Sequence, residues 1–355
     1  MKKIFSWTYL MPVLAWGLYF MAPIGTNTVI NLLAVIFLIG GVMASVHHAE
    51  VVAHRVGEPY GTIILAVAVT VLEASIIVSL MLAGGAGADT YARDTLFAAV
   101  MLILNGILGI SMVVGALKHK EQTFETKSVT IALVGLVSIL VLTLVLPNFT
   151  TSVAGPLYSK PQLVIVTVAC LVIYSTFLFT QTVRHRNYFL AESLERKDEQ
   201  VLVGRNEALF SLLLLLVCLG VVILLAKKLS PVIERGVAGA GLPNSLVGVC
   251  IAAVILLPEG IAAVRAASQN RYQTSINLAL GSALASIGLS IPTVAVLCTV
   301  MDLPLVLGLD RKSMLLLALS VFTVMLSLNK GRTNGLYGTV LLVNLMMYIF
   351  TIIYE

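Results

Sequence analysis

Residues 61–82, GTIILAVAVTVLEASIIVSLML, contain one charged side chain, Glu73. Residues 243–264, PNSLVGVCIAAVILLPEGIAAV, again contain one, Glu259. Each run is long enough to cross a hydrocarbon core of ~30 Å as a helix. At 1.5 Å per residue, Glu73 lies ~18 Å from residue 61 and Glu259 ~24 Å from residue 243. Glu73 thus falls in the middle third of the hydrocarbon core, and Glu259 lies further along its run but still within the core. A carboxylate there costs several kcal/mol, so its default reading is a functional site.

The rest of the chain supports membrane burial. Of its 355 residues, 59% are hydrophobic and 11% charged, and the mean hydropathy is +1.02. Soluble domains carry about 25% charged residues. Continuous apolar runs of this length predict helices, because isolated backbone in lipid must satisfy its own hydrogen bonds. A β-barrel would show short alternating strands instead. The expected fold is an all-α polytopic membrane protein of about eleven transmembrane helices. Its spans are expected near 7–24, 26–46, 61–83, 94–117, 128–147, 161–183, 207–226, 243–264, 274–298, 311–328 and 335–353.

The longest polar segment, residues 184–206, falls between the sixth and seventh spans. It divides the chain into an N-terminal helix (1–25), a five-helix unit (26–183), a cytoplasmic linker (184–206) and a second five-helix unit (207–355). An odd number of crossings inverts the second unit relative to the first. Glu73 and Glu259 each fall on the second span of their unit, the plan of inverted-repeat transporters with a midplane site. Letter-by-letter similarity between the halves is weak, so the repeat rests on placement. Of the 22 lysines and arginines, about twice as many fall on the side holding the N-terminus as on the other. The positive-inside rule then expects a cytoplasmic N-terminus and an external C-terminus; the expected location is the inner (plasma) membrane. The basic N-terminal segment is read as a retained first helix.

Small and oxygen-bearing residues surround the two glutamates. Pro258 removes a backbone donor and tends to open the helix beside Glu259. Carboxylates and freed carbonyls are ligands for hard cations such as Ca²⁺. Desolvation favours a protonated carboxyl and a bound cation favours the ionised one, so one site can exchange the two. A following span supplies LNGILGIS (104–111) in the first half and NLALGSALASIGLSIP (277–292) in the second. Asn105, Ser282 and Ser286 are candidate further ligands, with helix packing through small residues as the alternative. The segment HHAEVVAHRVGEP (47–59) holds His47, His48, Glu50, His54 and Glu58. Glu50 and His54 are i, i+4 on a helix. Metal binding, a gating or proton-sensing role and a solvated helix end are the competing readings. Lys227, Lys228 and Glu234 flank the expected end of the seventh span, where interfacial snorkelling accounts for the lysines.

Several classes are disfavoured. The four cysteines fall in expected spans without CxxC spacing, so a disulfide or thiolate metal site is not expected. The basic residues sit beside spans and set topology, so nucleic acid is not an expected partner. HExxH and GxSxG are absent, which argues against an intramembrane hydrolase. A cation channel remains an alternative to exchange.

The quoted residues also carry a family resemblance. RVGEPYGTIILAVAVTVLE (55–73) resembles the first signature of the cation/proton exchangers of the calcium:cation antiporter superfamily. Gly57 and Glu58 match its Gly-Glu pair, and Glu73, sixteen residues after that Gly, matches its binding glutamate. Glu50 matches an upstream family acid. SPVIERGVAGAGLPNSLVGVCIAAVILLPEGIAAV (230–264) resembles the second signature, with Glu259 as binding glutamate and Glu234 as a flanking acid. ILNG places the first-half Asn at Asn105, and LALGSALASIG resembles the following family segment. The details resemble the bacterial ChaA-type sodium–calcium/proton antiporters. The resemblance implies a secondary antiporter exporting Ca²⁺, with Na⁺ or K⁺ as alternative cargo, in exchange for H⁺. Its metal-binding residues would be Glu73 and Glu259, its ion path would run by Glu50, Glu58, Glu234, His47 and His54, and it would hold no permanent cofactor. A Na⁺/H⁺ antiporter without Ca²⁺ transport is the alternative within the class. Two departures stand out. Val69-Thr70 and roughly Ile255-Leu256 replace the usual Gly-Asn before each glutamate, and Lys227 replaces an acid. The first removes amide ligands that a Ca²⁺ shell would use.

Overall fold

A computed structural model describes residues 7–57, 60–83, 89–189, 204–243, 245–301 and 303–354. The chain forms two compact units, Met1–Ala88 with Glu199–Pro258 and Asp89–Asp198 with Glu259–Glu355. The contact units therefore interleave the sequence: each takes helices from both sides of residues 184–206.

The first unit is built on α2 (Thr28–Val56), which packs against α1 (Trp7–Met21), α3 (Tyr60–Ala83) and α9 (Arg205–Gly239), with α10 (Ser245–Ile255) alongside. Asn27 starts α2, its side chain accepting from the Val29 amide at 2.9 Å, which satisfies one of the orphan donors of the first turn. A glycine pair sets the spacing. A Cβ on Gly40 would stand 2.8 Å from Met11 Sδ on α1, and one on Gly41 2.9 Å from Val222 on α9. Small residues of this kind let membrane helices approach closely. Trp16 Nε1 further ties α1 to α9 by donating to the Val217 carbonyl at 3.2 Å.

The second unit holds α4 (Tyr91–Met101), α5 (Leu108–His119), α6 (Thr126–Leu140), α7 (Lys160–Phe179) and the one-turn α8 (Arg186–Phe189). It continues with α11 (Leu257–Ser268), α12 (Tyr272–Val300), α13 (Arg311–Leu328) and α14 (Gly335–Ile353). The long helix α12 is its centre, packing against α4 to α7. On α14, a Cβ at Gly338 would lie 2.7 Å from the Gly109 carbonyl and 2.7 Å from Met112 Cβ on α5. Backbone cannot yield as a flexible side chain does. Gly338→Ala is expected to cost about 1–3 kcal/mol by overpacking, read as a lowered unfolding temperature in detergent. An Ala substitution at Gly236, where a Cβ meets nothing within 4 Å, is the control.

Among the described residues, eight helices are long and apolar enough to cross a membrane, and nine if the bent pair α10–α11 counts as one span. The chain is thus a polytopic, mostly helical membrane protein. Four features depart from the expected pattern. The run expected over 243–264 is broken at Leu256, with a bend of 57°. Pro258 sits in the first turn of α11, where its missing N–H is not needed. The span expected over 207–226 continues as one 35-residue helix to Gly239, with Pro231 inside it. Composition marks where hydrocarbon ends; the helix, ~52 Å at 1.5 Å per residue, runs on into the interface. Likewise α2 continues past residue 46 to Val56. Finally, the fold is not purely helical: β1 (Gln122–Thr123) pairs antiparallel with β2 (Arg332–Thr333), Gln122 opposite Thr333. Two-residue strands leave no periodicity to read.

Candidate functional site

Glu73 lies within α3 in the first unit and is only 1% exposed. Thr70 stands one turn before it on the same face, 6% exposed, its hydroxyl donating to the Ala66 carbonyl at 2.8 Å. That bond spends the hydrogen of Thr70 and leaves Oγ1 as an acceptor. By sequence alone this position is a lost amide. The fold places an oxygen there.

The other four expected ligands share the second unit. Glu259 occupies the first turn of α11, half-buried with its Oε2 out of contact with solvent. Asn105 is fully buried, in a π-helical segment, Leu102–Ile107, that joins α4 to α5. Single π turns inside α-helices occur frequently at functional sites. This one is invisible to a 3.6-residue reading. Next to Glu259, a Cβ on Gly260 would lie 3.4 Å from Ile107 Cδ1, so the start of α11 rests on the end of the π turn. Ser286, 3% exposed, and the half-buried Ser282 lie one turn apart on α12, which packs on the same π segment. The glycines of LNGILGIS serve packing: Gly109 meets Gly338, and a Cβ on Gly106 would be 3.2 Å from Leu345.

The path residues are less uniform. His47, Glu50 and His54 are exposed on the last turns of α2. Glu58 lies outside the described residues. The histidine the fold buries is His48, 1% exposed, its Nε2 3.3 Å from the Thr8 carbonyl and its ring 5.6 Å from Tyr9. It fastens α1 to α2. Among the described residues, no group of three His, Cys, Asp or Glu is placed to hold a metal ion. Glu234 is half-buried within α9 and accepts from Ser230 Oγ at 3.0 Å. Lys228 donates to the Tyr19 carbonyl at 2.9 Å, with its Nζ 4.1 Å from the centre of the Tyr19 ring. It snorkels onto an aromatic side chain.

A carboxylate 1% exposed on an apolar helix, Glu73, is a feature of membrane proteins that carry cations or protons. The sequence matches the family described as sodium/calcium exchanger protein over residues 26–183 and 210–354. The chain belongs to that family. A protein of Sinorhizobium fredii described as an ionic transporter, y4hA, is 46% identical over 314 residues, 88% of this chain and 86% of its own length. The sodium-potassium/proton antiporter ChaA of Escherichia coli is 31% identical over 353 residues, 98% of this chain and 95% of its own. Among solved structures, native YfkE superposes with a TM-score of 0.76 at 15% identity, covering 98% of this chain and 100% of that one. The H⁺/Ca²⁺ exchanger CAX follows at 0.69 and 13%, covering 97% and 88%. At such identities the structural matches show a shared fold. Together with the relatives they place the chain among cation exchangers of the calcium:cation antiporter superfamily.

Proposed function

We propose that the protein is a secondary cation/proton antiporter of the inner membrane, exporting Ca²⁺ in exchange for H⁺ by alternating access. The observation that carries this reading is Glu73: a carboxylate 1% exposed in a helix with no other charged residue. Glu73 and Glu259 carry cation or protons in turn. Asn105, Ser282 and Ser286 supply neutral oxygens. Glu50, Glu58, Glu234, His47 and His54 line the route. Empty carboxylates resist occlusion, because an unpaired buried charge is costly, and loaded or protonated ones permit it. Obligatory exchange follows without a leak. The topology is eleven spans, an N-terminal helix and two inverted five-helix repeats, with the N-terminus cytoplasmic and the C-terminus periplasmic.

Na⁺ and K⁺ are the alternative cargo, and two observations favour them. The E. coli relative is named for sodium and potassium, and Thr70 and Leu256 stand where amide oxygens would serve Ca²⁺. The solved neighbours YfkE and CAX are named for Ca²⁺ and H⁺.

The test is collapse of an imposed pH gradient in proteoliposomes on adding Ca²⁺, Na⁺, K⁺ or Mg²⁺ singly. Proton release is expected, and the most effective cation defines the cargo. Because cation and proton compete, the half-saturating cation concentration should rise by up to about tenfold per displaced proton for each unit the pH falls below the site's titration. No proton movement with any of the four cations, from correctly inserted protein, would sink the antiporter reading. Current carried without proton exchange would establish a channel instead.

A further inference from the structure

Asn105 is held by a residue 215 positions away in sequence. Its Nδ2 donates to Ser320 Oγ on α13 at 2.8 Å and to the Met101 carbonyl at 3.3 Å. Met101 Sδ lies at 3.8 Å, a third weak acceptor. Ser320 is fully buried. Its own hydrogen points to the Leu316 carbonyl at 2.8 Å, with Met101 Sδ at 3.6 Å as the other acceptor. A hydroxyl has one hydrogen, so towards Asn105 the Ser320 oxygen acts as an acceptor. A backbone carbonyl only accepts. Two acceptors therefore face the same end of the amide, and that end must be the NH₂. The bonding pattern itself fixes which way the side chain is turned. The carbonyl oxygen Oδ1 is left on the opposite side, buried and with no hydrogen-bond partner among the described residues. An acceptor left so carries a desolvation cost, which a cation or a proton donor would remove.

We propose that Ser320 is a positioning residue for cation binding: it locks the Asn105 amide so that Oδ1, not the NH₂, faces the transported cation. This rests on the reading of Asn105 as a ligand. Without the Ser320 oxygen, Met101 alone restrains the amide. A flipped amide would present donors to a cation, so occupancy of the flipped state weakens binding directly. The step that moves the loaded carrier does not involve this bond and should keep its rate.

The experiment compares Ser320→Ala, Asn105→Ala and the double variant in proteoliposomes, with Ca²⁺ and separately Na⁺ as driving cation. Ser320→Ala should raise the half-saturating concentration about five- to tenfold, the scale of one buried hydrogen bond, with maximal rate changed less than about twofold. In the Asn105→Ala background the same substitution should add nothing, since the residue acts only through the amide. Ser320→Cys leaves no void, being slightly larger, and replaces a good acceptor by a weak one; it carries the same test should Ser320→Ala not insert. An unchanged half-saturation, a loss of maximal rate alone, or an equal effect with and without Asn105 overturns the proposal. If Asn105→Ala itself leaves cation affinity intact, the reading of Asn105 as a ligand falls with it. If Asn105→Ala weakens binding and Ser320→Ala does not, only the role of Ser320 falls.

Discussion

Glu73→Gln is expected to abolish cation-driven proton movement while leaving the protein inserted and folded. The side chain keeps its volume and loses its charge and its exchangeable proton. At an effective dielectric of 20, a carboxylate and a unit charge 4 Å apart attract by about 4 kcal/mol. Losing that corresponds to roughly a thousandfold weaker cation binding, and the proton carrier goes with it. Stability should move the other way. Glu73 is 1% exposed, and an amide is cheaper to hold in that environment than a carboxylate. In the absence of cation the variant should therefore unfold at a temperature equal to or above that of the unmodified protein. The stabilisation that cation confers, about 2.7 kcal/mol at a hundred times the dissociation constant, should disappear. Exchange assays in proteoliposomes and thermal unfolding with and without Ca²⁺ or Na⁺ read both effects. Retained exchange would remove Glu73 from the mechanism.

Glu259→Gln should be comparably severe, for a related reason with a different local cause. Glu259 stands in the first turn of α11, just after the break at Leu256, beside the orphan donors that a helix start can present. Gln also accepts hydrogen bonds there, so the helix start should lose no more than about 1 kcal/mol, and the protein should remain folded. Its cation affinity should fall by two orders of magnitude or more on the same Coulomb argument of about 4 kcal/mol. Glu259→Asp keeps the charge on a side chain one methylene shorter and should retain measurable exchange. Equal activity of Asp and Gln variants would show that charge at this position is not what matters. Transport that survives Glu259→Gln but not Glu73→Gln would assign the cation to the first unit alone.

Much of the membrane plan was legible in the letters. The lone charges in 61–82 and 243–264 and the family signatures lie in contiguous stretches. Where the reading stopped, the cause was local geometry that hydropathy does not encode. Thr70 looked like a missing amide, because the fate of its hydroxyl hydrogen depends on the helix around it. His48 was one of three histidines with nothing to separate it from His47. Its burial depends on α1, whose contact with α2 follows from Gly40 and Met11. The break before Glu259 was signalled by Pro258, but its place at Leu256 was not, since proline in a first helical turn disturbs little.

The sequence by itself determined that this chain is a polytopic membrane protein of a transporter family, and which carboxylates are the lone charges of their apolar runs. Transfer of a side chain to lipid is a local and nearly additive cost, so a window of about twenty residues suffices to read it. Only the tertiary structure decided the π turn under Asn105, the interleaving of two contact units and the pairing of Asn105 with Ser320. Those depend on which distant helix supplies the acceptor and how closely small residues let it approach. Packing of that kind is fixed by shape across more than two hundred residues, and no periodicity along the chain records it.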